Sequence, residues 1–207
     1  MTDEARLRIE FPIGWEPTGI DPEGVAAWLD TWLTGEVDPA DRRQLETSFR
    51  AMLIEARAEG LVLASGMVDV IQPEGAPVPQ VVAASGFVVL RPSGRLEGAL
   101  SPVAWHTAIR GAEADGILPL VEAPVTFPTD DVDFVKAKVM ETLEGGGGPP
   151  VTVFGINYYG STPDGTNVLT VGFRTPTVWL IDEFEALFDE IVRTVRVIDE
   201  TTDATSA

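Results

Sequence analysis

The apolar positions along the chain fall into two periods. Residues 6 to 14 alternate Leu7, Ile9 and Phe11 against Arg6, Arg8 and Glu10. That is a half-buried strand, and Pro12 and Gly14 end it. Trp15 follows at the exit and is expected to fold back onto a sheet edge. The period then lengthens to that of a helix. Val25, Trp28, Leu29, Trp32 and Leu33 form one stripe, opened by Asp21-Pro22 and stopped by Gly35. Leu45, Phe49, Met52, Leu53 and Ala56 form a second, opened by Asp38-Pro39 and closed at Gly60. Residues 21 to 60 thus predict a helical pair, with Arg42, Arg43, Glu46, Arg50 and Glu55 in solvent. Trp28 and Trp32 sit on such a stripe, and that spacing means core packing before it means a ligand platform.

Two nearly continuous apolar segments come next, Leu61 to Ile71 and Gln80 to Arg91, as expected of strands covered on both faces. They echo one another through Ala64-Ser65-Gly66 and Ala84-Ser85-Gly86, and each glycine predicts a bulge or a close approach. The polar, proline-rich segment between them is a hairpin end. Ser101-Pro102 opens a weakly striped helix that Asp115-Gly116 closes. ILPLVEAPVTF (117–127) and VDFVKAKVMETL (132–143) read as strands around the turn PTDD. The second alternates Phe134, Lys136, Lys138 and Met140 against Val135, Ala137, Val139 and Glu141, and a helix competes with it there. Gly145 to Gly148 forms a flexible connection rather than a phosphate cradle, because two prolines and a strand follow it.

The C-terminal third organises the rest. VTVFGINYYG and VLTVGFRTP are strands joined at the turn Pro163-Asp164-Gly165. A helix follows, with Asp182 as its expected cap and Phe184, Leu187, Phe188, Ile191, Val192 and Val195 as its buried stripe, its acids turned outward. The expectation is an α+β fold: an antiparallel β-sheet meander covered by helices, in one domain over residues 1–198, with a disordered polar tail at 199–207.

Composition narrows the function. The 207 residues carry 14 Lys+Arg against 33 Asp+Glu, a formal charge of −19, and the only lysines are Lys136 and Lys138. A surface this acidic repels phosphate backbones and anionic headgroups, so nucleic-acid binding is not expected; the acidity means solubility before it means a basic protein partner or a DNA mimic. Zero cysteines removes thiol chemistry. No long apolar run and no leader pattern occur, so no membrane insertion and a cytoplasmic location are expected.

The residues offer no catalytic constellation. His106 is the sole histidine, which rules out a His-rich zinc site, and nothing in the spacing builds a triad around it. Asp131-Val132-Asp133 lacks the glycine and closing glutamate of a calcium loop. Ser65 and Ser85 sit in ASG rather than in a nucleophile elbow. No catalytic residue, cofactor or metal ligand is therefore assigned. The aromatic residues Trp15, Trp105, Tyr158 and Tyr159 are the candidates for partner contact.

Three segments resemble the PsbP-like superfamily of α/β/α sandwiches: Phe11-Pro12-Ile13-Gly14-Trp15 near the start, Phe173-Arg174-Thr175-Pro176 at a strand end, and the closing helix from Glu185 to Arg196. The resemblance implies a non-enzymatic adaptor, assembly factor or chaperone-like domain, and it carries over no catalytic residues. An acidic immunity or inhibitor protein that blocks a basic enzyme is the second expectation. A small-molecule carrier lined by Trp28, Trp32, Trp105 and Tyr158-Tyr159 is a third.

Overall fold

The computed structural model describes residues 6–17, 39–72, 75, 77–93, 101–143 and 150–198. The helix expected over 21–34, the Asp38 cap, the glycine run and the tail at 199–207 lie outside those residues, as do the side chains of Leu45 and Phe49. In chain order the elements are β1 (Arg6–Arg8), β2 (Glu16–Pro17), α1 (Pro39–Ala58), β3 (Leu61–Ile71), β4 (Gln80–Pro92) and α2 (Pro102–Ala114). They continue with β5 (Val125–Pro128), β6 (Asp133–Leu143), β7 (Val151–Ser161), β8 (Asn167–Thr175), a 3-10 turn (Val178–Leu180), α3 (Ile181–Arg193) and β9 (Arg196–Ile198).

The strands form one seven-stranded sheet in the order β2-β3-β4-β8-β7-β6-β5, and β1 and β9 pair separately. Every ladder is antiparallel. The fold is α+β, as the periodicity predicts. β5 to β8 make a four-strand meander, and the β3–β4 hairpin joins it along the free edge of β8. The chain reaches β5, at the far edge, through α2, which packs across β6 and β7.

Each face of the sheet carries a helix. On one face, Phe154, Ile156 and Tyr158 of β7, Leu169, Val171 and Phe173 of β8 and Val88 of β4 meet Phe184, Phe188, Ile191 and Val192 of α3. Phe173 stacks on Phe188 with ring centroids 4.4 Å apart. Trp15 closes this core edge-on to both rings. It gets there through a tight turn: the Trp15 N–H donates to the Pro12 carbonyl at 3.2 Å, and Gly14 takes φ +94°. The indole then lies over Gly86, where a Cβ would stand 3.4 Å from its ring and 3.0 Å from Phe173. Close approach, rather than a bulge, explains the glycine of the second ASG. The two ASG segments face each other across the ladder, Ser65 with Gly86 and Gly66 with Ser85.

On the opposite face, Ile109 of α2 packs with Val135 and Ala137 of β6, flanked by Trp105, Leu118, Leu120 and Tyr159. The Ser101 hydroxyl caps α2 by accepting from the Ala104 N–H, as the Ser-Pro opening predicts.

Four expectations are corrected. The strand expected over 117–127 is broken, with only β5 and an isolated Leu120–Val139 bridge remaining, because Pro119 and Pro124 have no N–H to donate. Met52 of α1 is exposed, and Leu53 carries the contact on its own turn. Asp182 does not cap α3: the 3-10 turn feeds straight into the helix, Leu180 holds the cap position, and no side chain bonds there. Nor do all the acids of α3 face outward, since Glu185 and Asp189 turn toward the sheet.

Candidate functional site

Both lysines of the chain lie on β6 beneath α3. Lys136, only 5% exposed, sends Nζ to Glu185 Oε1 and to Asp189 Oδ1, each at 2.7 Å. Asp189 Oδ1 also accepts the Tyr158 hydroxyl at 2.5 Å. Lys138 bridges Glu185 Oε2 at 2.7 Å and Glu122 Oε1 at 2.9 Å. Residues 185 and 189 are one helical turn apart, and 136 and 138 one strand period apart, so the two spacings mesh across the interface. Burial alone would raise the Glu185 carboxyl, but hydrogen bonds from Lys136 and Lys138 outweigh it and hold that group below its ordinary value. Burial, then the bond to Asp189, pushes the Tyr158 hydroxyl far up, so the phenol stays protonated as a donor. A satisfied network between layers positions α3; its groups are saturated by one another.

A second polar group sits on the opposite face. Arg174 of β8 donates from Nη1 to Asn157 Oδ1 at 2.9 Å and pairs through Nη2 with Glu141 at 3.1 Å. Its guanidinium lies over the Phe87 ring, 5.7 Å from the centroid. Two glycines make the room. A Cβ on Gly155 would meet Arg174 Cδ at 2.7 Å, and one on Gly172 would meet Phe87 Cζ at 2.1 Å.

The four aromatic candidates separate into two environments. Trp15 and Tyr158 are buried in the α3-side core, so their rings are not presented at the surface. Trp105 and Tyr159 stack on each other at 5.5 Å on the α2 side, half-buried. The Trp105 Nε1–H is buried and has no hydrogen-bond partner. Burial raises the Tyr159 hydroxyl above its ordinary value, partly opposed by a hydrogen bond with Asn157. His106 is a half-buried helix residue whose Nε2 lies 3.3 Å from the Thr126 hydroxyl. The acids of the β5–β6 turn are structural. Asp130 pairs with Arg196 at 2.6 Å and Asp131 accepts the Val197 N–H at 2.9 Å, fastening β9. Among the described residues, no group of three or more His, Asp and Glu side chains could hold a metal ion.

Large apolar side chains are exposed on several elements, the β3–β4 hairpin and the turn before α3 among them. β8 leaves β4 after the Ser85–Arg174 pair, because Pro176 cannot extend the ladder. Two threonines replace it. The Thr175 hydroxyl donates to the Ala83 carbonyl at 2.6 Å, and the Ala83 N–H donates to Thr177 Oγ1 at 3.1 Å. These bonds fasten the segment that leads into α3 to the edge of β4. Trp179 beyond it is 48% exposed, and on the β3–β4 hairpin the cross-strand pair Val70 and Val81 are 61% and 64% exposed. Sequence reasoning singled out none of these, since apolar residues inside apolar segments read as core. Pro176, which ends the ladder, was the available signal.

No protein-family model matches the chain, and no curated protein matches its sequence. The class of this chain is therefore architectural: an α+β fold with an antiparallel sheet and a helix on each face. Among the described residues no helix is long and apolar enough to cross a membrane.

Proposed function

We propose that this chain is a protein-binding domain of the adaptor or chaperone-like kind, non-enzymatic and of PsbP-like type. The observation that carries the proposal is the exposed apolar end of the β3–β4 hairpin, where Val70 and Val81 pair across the strands. A cross-strand apolar pair left in solvent on a projecting hairpin is a contact site for another protein. The resemblance of the Pro12-to-Trp15 turn, the 173–176 strand end and α3 to that superfamily agrees with such a role, and those segments serve packing here.

The test compares wild type with Val70→Asp/Val81→Asp. Both positions are exposed, so folding is retained, which circular dichroism and an unchanged Tm check. The partner recovered by cross-linking is purified and rebound to each protein. Loss of rebinding by more than about tenfold in the variant is the expected result. Equal rebinding removes the apolar end from the reading. Robust turnover abolished by a single carboxylate change would replace it with an enzyme.

The acidic inhibitor reading keeps a place because of the formal charge of −19. It requires association that weakens steeply with salt, whereas contact through the apolar end persists at high ionic strength.

A further inference from the structure

The β3–β4 hairpin runs past the strands on either side of it. β8 pairs with β4 only from Ser85 to Pro92, and β2 pairs with β3 only at Ser65 and Gly66. The β3–β4 ladder itself continues to the Ile71–Gln80 pair. On the β4 edge the overhang is closed at Ala83, whose N–H donates to Thr177 Oγ1 and whose carbonyl accepts the Thr175 hydroxyl. On the β3 edge no strand follows β2 among the described residues, because the turn from Pro12 to Trp15 takes the chain away. Parity identifies the main-chain groups left there. Ala83 turns its N–H and carbonyl to the threonines, so Val68 opposite it turns its own away from β4. Val70, two residues on, does the same, and Gly66 gives that side to Glu16 of β2. The Val70 N–H meets only the carboxylate of Asp69 beside it, at 2.7 Å. Among the described residues no strand pairs with the N–H and carbonyl of Val68 or with the carbonyl of Val70. Exposed Val70 and Val81 stand on one face of this edge, and exposed Asp69 on the other.

We propose that the β3 edge from Met67 to Ile71 accepts an extended segment of another protein as an added antiparallel strand, one that alternates apolar with basic side chains. The proposal rests on the protein-binding reading above and names the mode of contact and the partner's chemistry. The added strand continues the lane that β2 opens beside Ser65 and Gly66. Its residues opposite Val68 and Val70 exchange main-chain hydrogen bonds with them and lay apolar side chains against Val70 and Val81. The residue between them, opposite Asp69, is basic. Its cation takes over the carboxylate and frees the Val70 N–H for the ladder. Charge disfavours the other occupant of an open edge, a second copy of this chain. Two such edges paired about their midpoints bring Asp69 against Asp69 and join two chains of −19.

The experiment titrates the full chain with nine-residue peptides alternating leucine with arginine, glutamine or glutamate, followed by calorimetry and amide hydrogen exchange. The arginine peptide is also made in two N-methylated forms, blocked at its central leucines or at its central arginines. In the register above the leucine N–H groups face β3 and the arginine N–H groups face away. The arginine peptide is expected to bind and to slow exchange of the Val68 amide. Methylation at leucine should weaken it about tenfold or more, and methylation at arginine should leave it unchanged. Asp69→Asn should remove the preference for arginine over glutamine. Equal binding of the two methylated forms overturns strand addition. If Val70→Asp/Val81→Asp still abolishes that binding, the hairpin stands as a protein contact of another kind. A glutamate peptide that binds as tightly overturns the basic partner. No binding of the arginine peptide, or protection of the Val68 amide by self-association alone, overturns the proposal as well. Rebinding of the cross-linked partner reads the protein-binding function separately.

Discussion

Lys136 shows how much one side chain can hold. Its ammonium group, 5% exposed, satisfies two carboxylates that would otherwise face an apolar core beside Phe127 and Tyr158. Lys136→Met fills similar volume but leaves Asp189 with only Tyr158, and breaking a buried pair on one side destabilises by about 3 kcal/mol. Urea unfolding checks this. The pH limits follow from the same cluster. Glu185 titrates below its ordinary value of 4.5, so its contribution is present above that pH and is lost as pH falls through the lower folded value. For Lys138, burial lowers the value but hydrogen bonds to Glu185 and Glu122 outweigh it, so the group titrates above its ordinary 10.5. Tyr158 is raised from 10.0, by burial first. The folded state thus keeps protons that the unfolded chain loses, and stability falls as pH rises beyond about 10. Unfolding midpoints across pH 3 to 11, compared between wild type and Lys136→Met, should show the acid limit flattened in the variant, because Lys136 helps to lower Glu185, and the alkaline limit kept, because Glu185, Glu122 and Asp189 rather than Lys136 bond Lys138 and Tyr158. The glycines of the opposite face give a contrast. Gly172→Ala drives a Cβ into the Phe87 ring and should destabilise by about 2–3 kcal/mol, whereas Gly155→Ala meets the movable stem of Arg174 and should cost less. Thermal melts of the two variants decide it.

At the scale of elements, α3 is the keystone of its face, because Phe188 is stacked on Phe173 and meets Trp15 and Phe184 as well. Phe188→Ala opens a cavity that the three neighbouring aromatic rings cannot close together, so a loss of about 3–5 kcal/mol is expected in chemical denaturation. The helix and its apolar stripe were legible in the sequence, as were both C-terminal strands, α2 and its Ser101 cap. Period and punctuation are local properties, and these segments obey them. The broken segment at 117–127 was less legible. Its apolar content resembles a strand, but a strand needs donors, and only a neighbour's ladder reveals which N–H groups are required. The role of Glu185 and Asp189 was not legible for another reason. An acid on the flank of an amphipathic helix looks solvated until the facing strand is known, and that strand lies about fifty residues away in sequence.

The whole molecule carries its charge unevenly. Among the described residues both lysines, Arg174 and Arg196 are committed to pairs with acids elsewhere in the fold, against a formal charge of −19 for the chain. Self-repulsion of that kind is screened by salt, while the buried Lys136 cluster is screened little. Raising sodium chloride from about 0.02 M to about 0.3 M should therefore raise Tm by about 2–4 °C, measured by calorimetry at neutral pH. A chain stabilised mainly by exposed ion pairs would move the other way.

The sequence by itself determined the β3–β4 hairpin, α2, the C-terminal strands, α3 with its apolar stripe, and the acidity of the chain, because each is written in spacing and composition within a few neighbouring residues. Only the tertiary structure decided which acids are paired, that Trp15 and Tyr158 are core while Trp179 is surface, and where the exposed end lies. Those outcomes depend on which residues distant in the chain are brought opposite one another. In an antiparallel sheet register sets that, and register is a property of strand pairs rather than of any one strand.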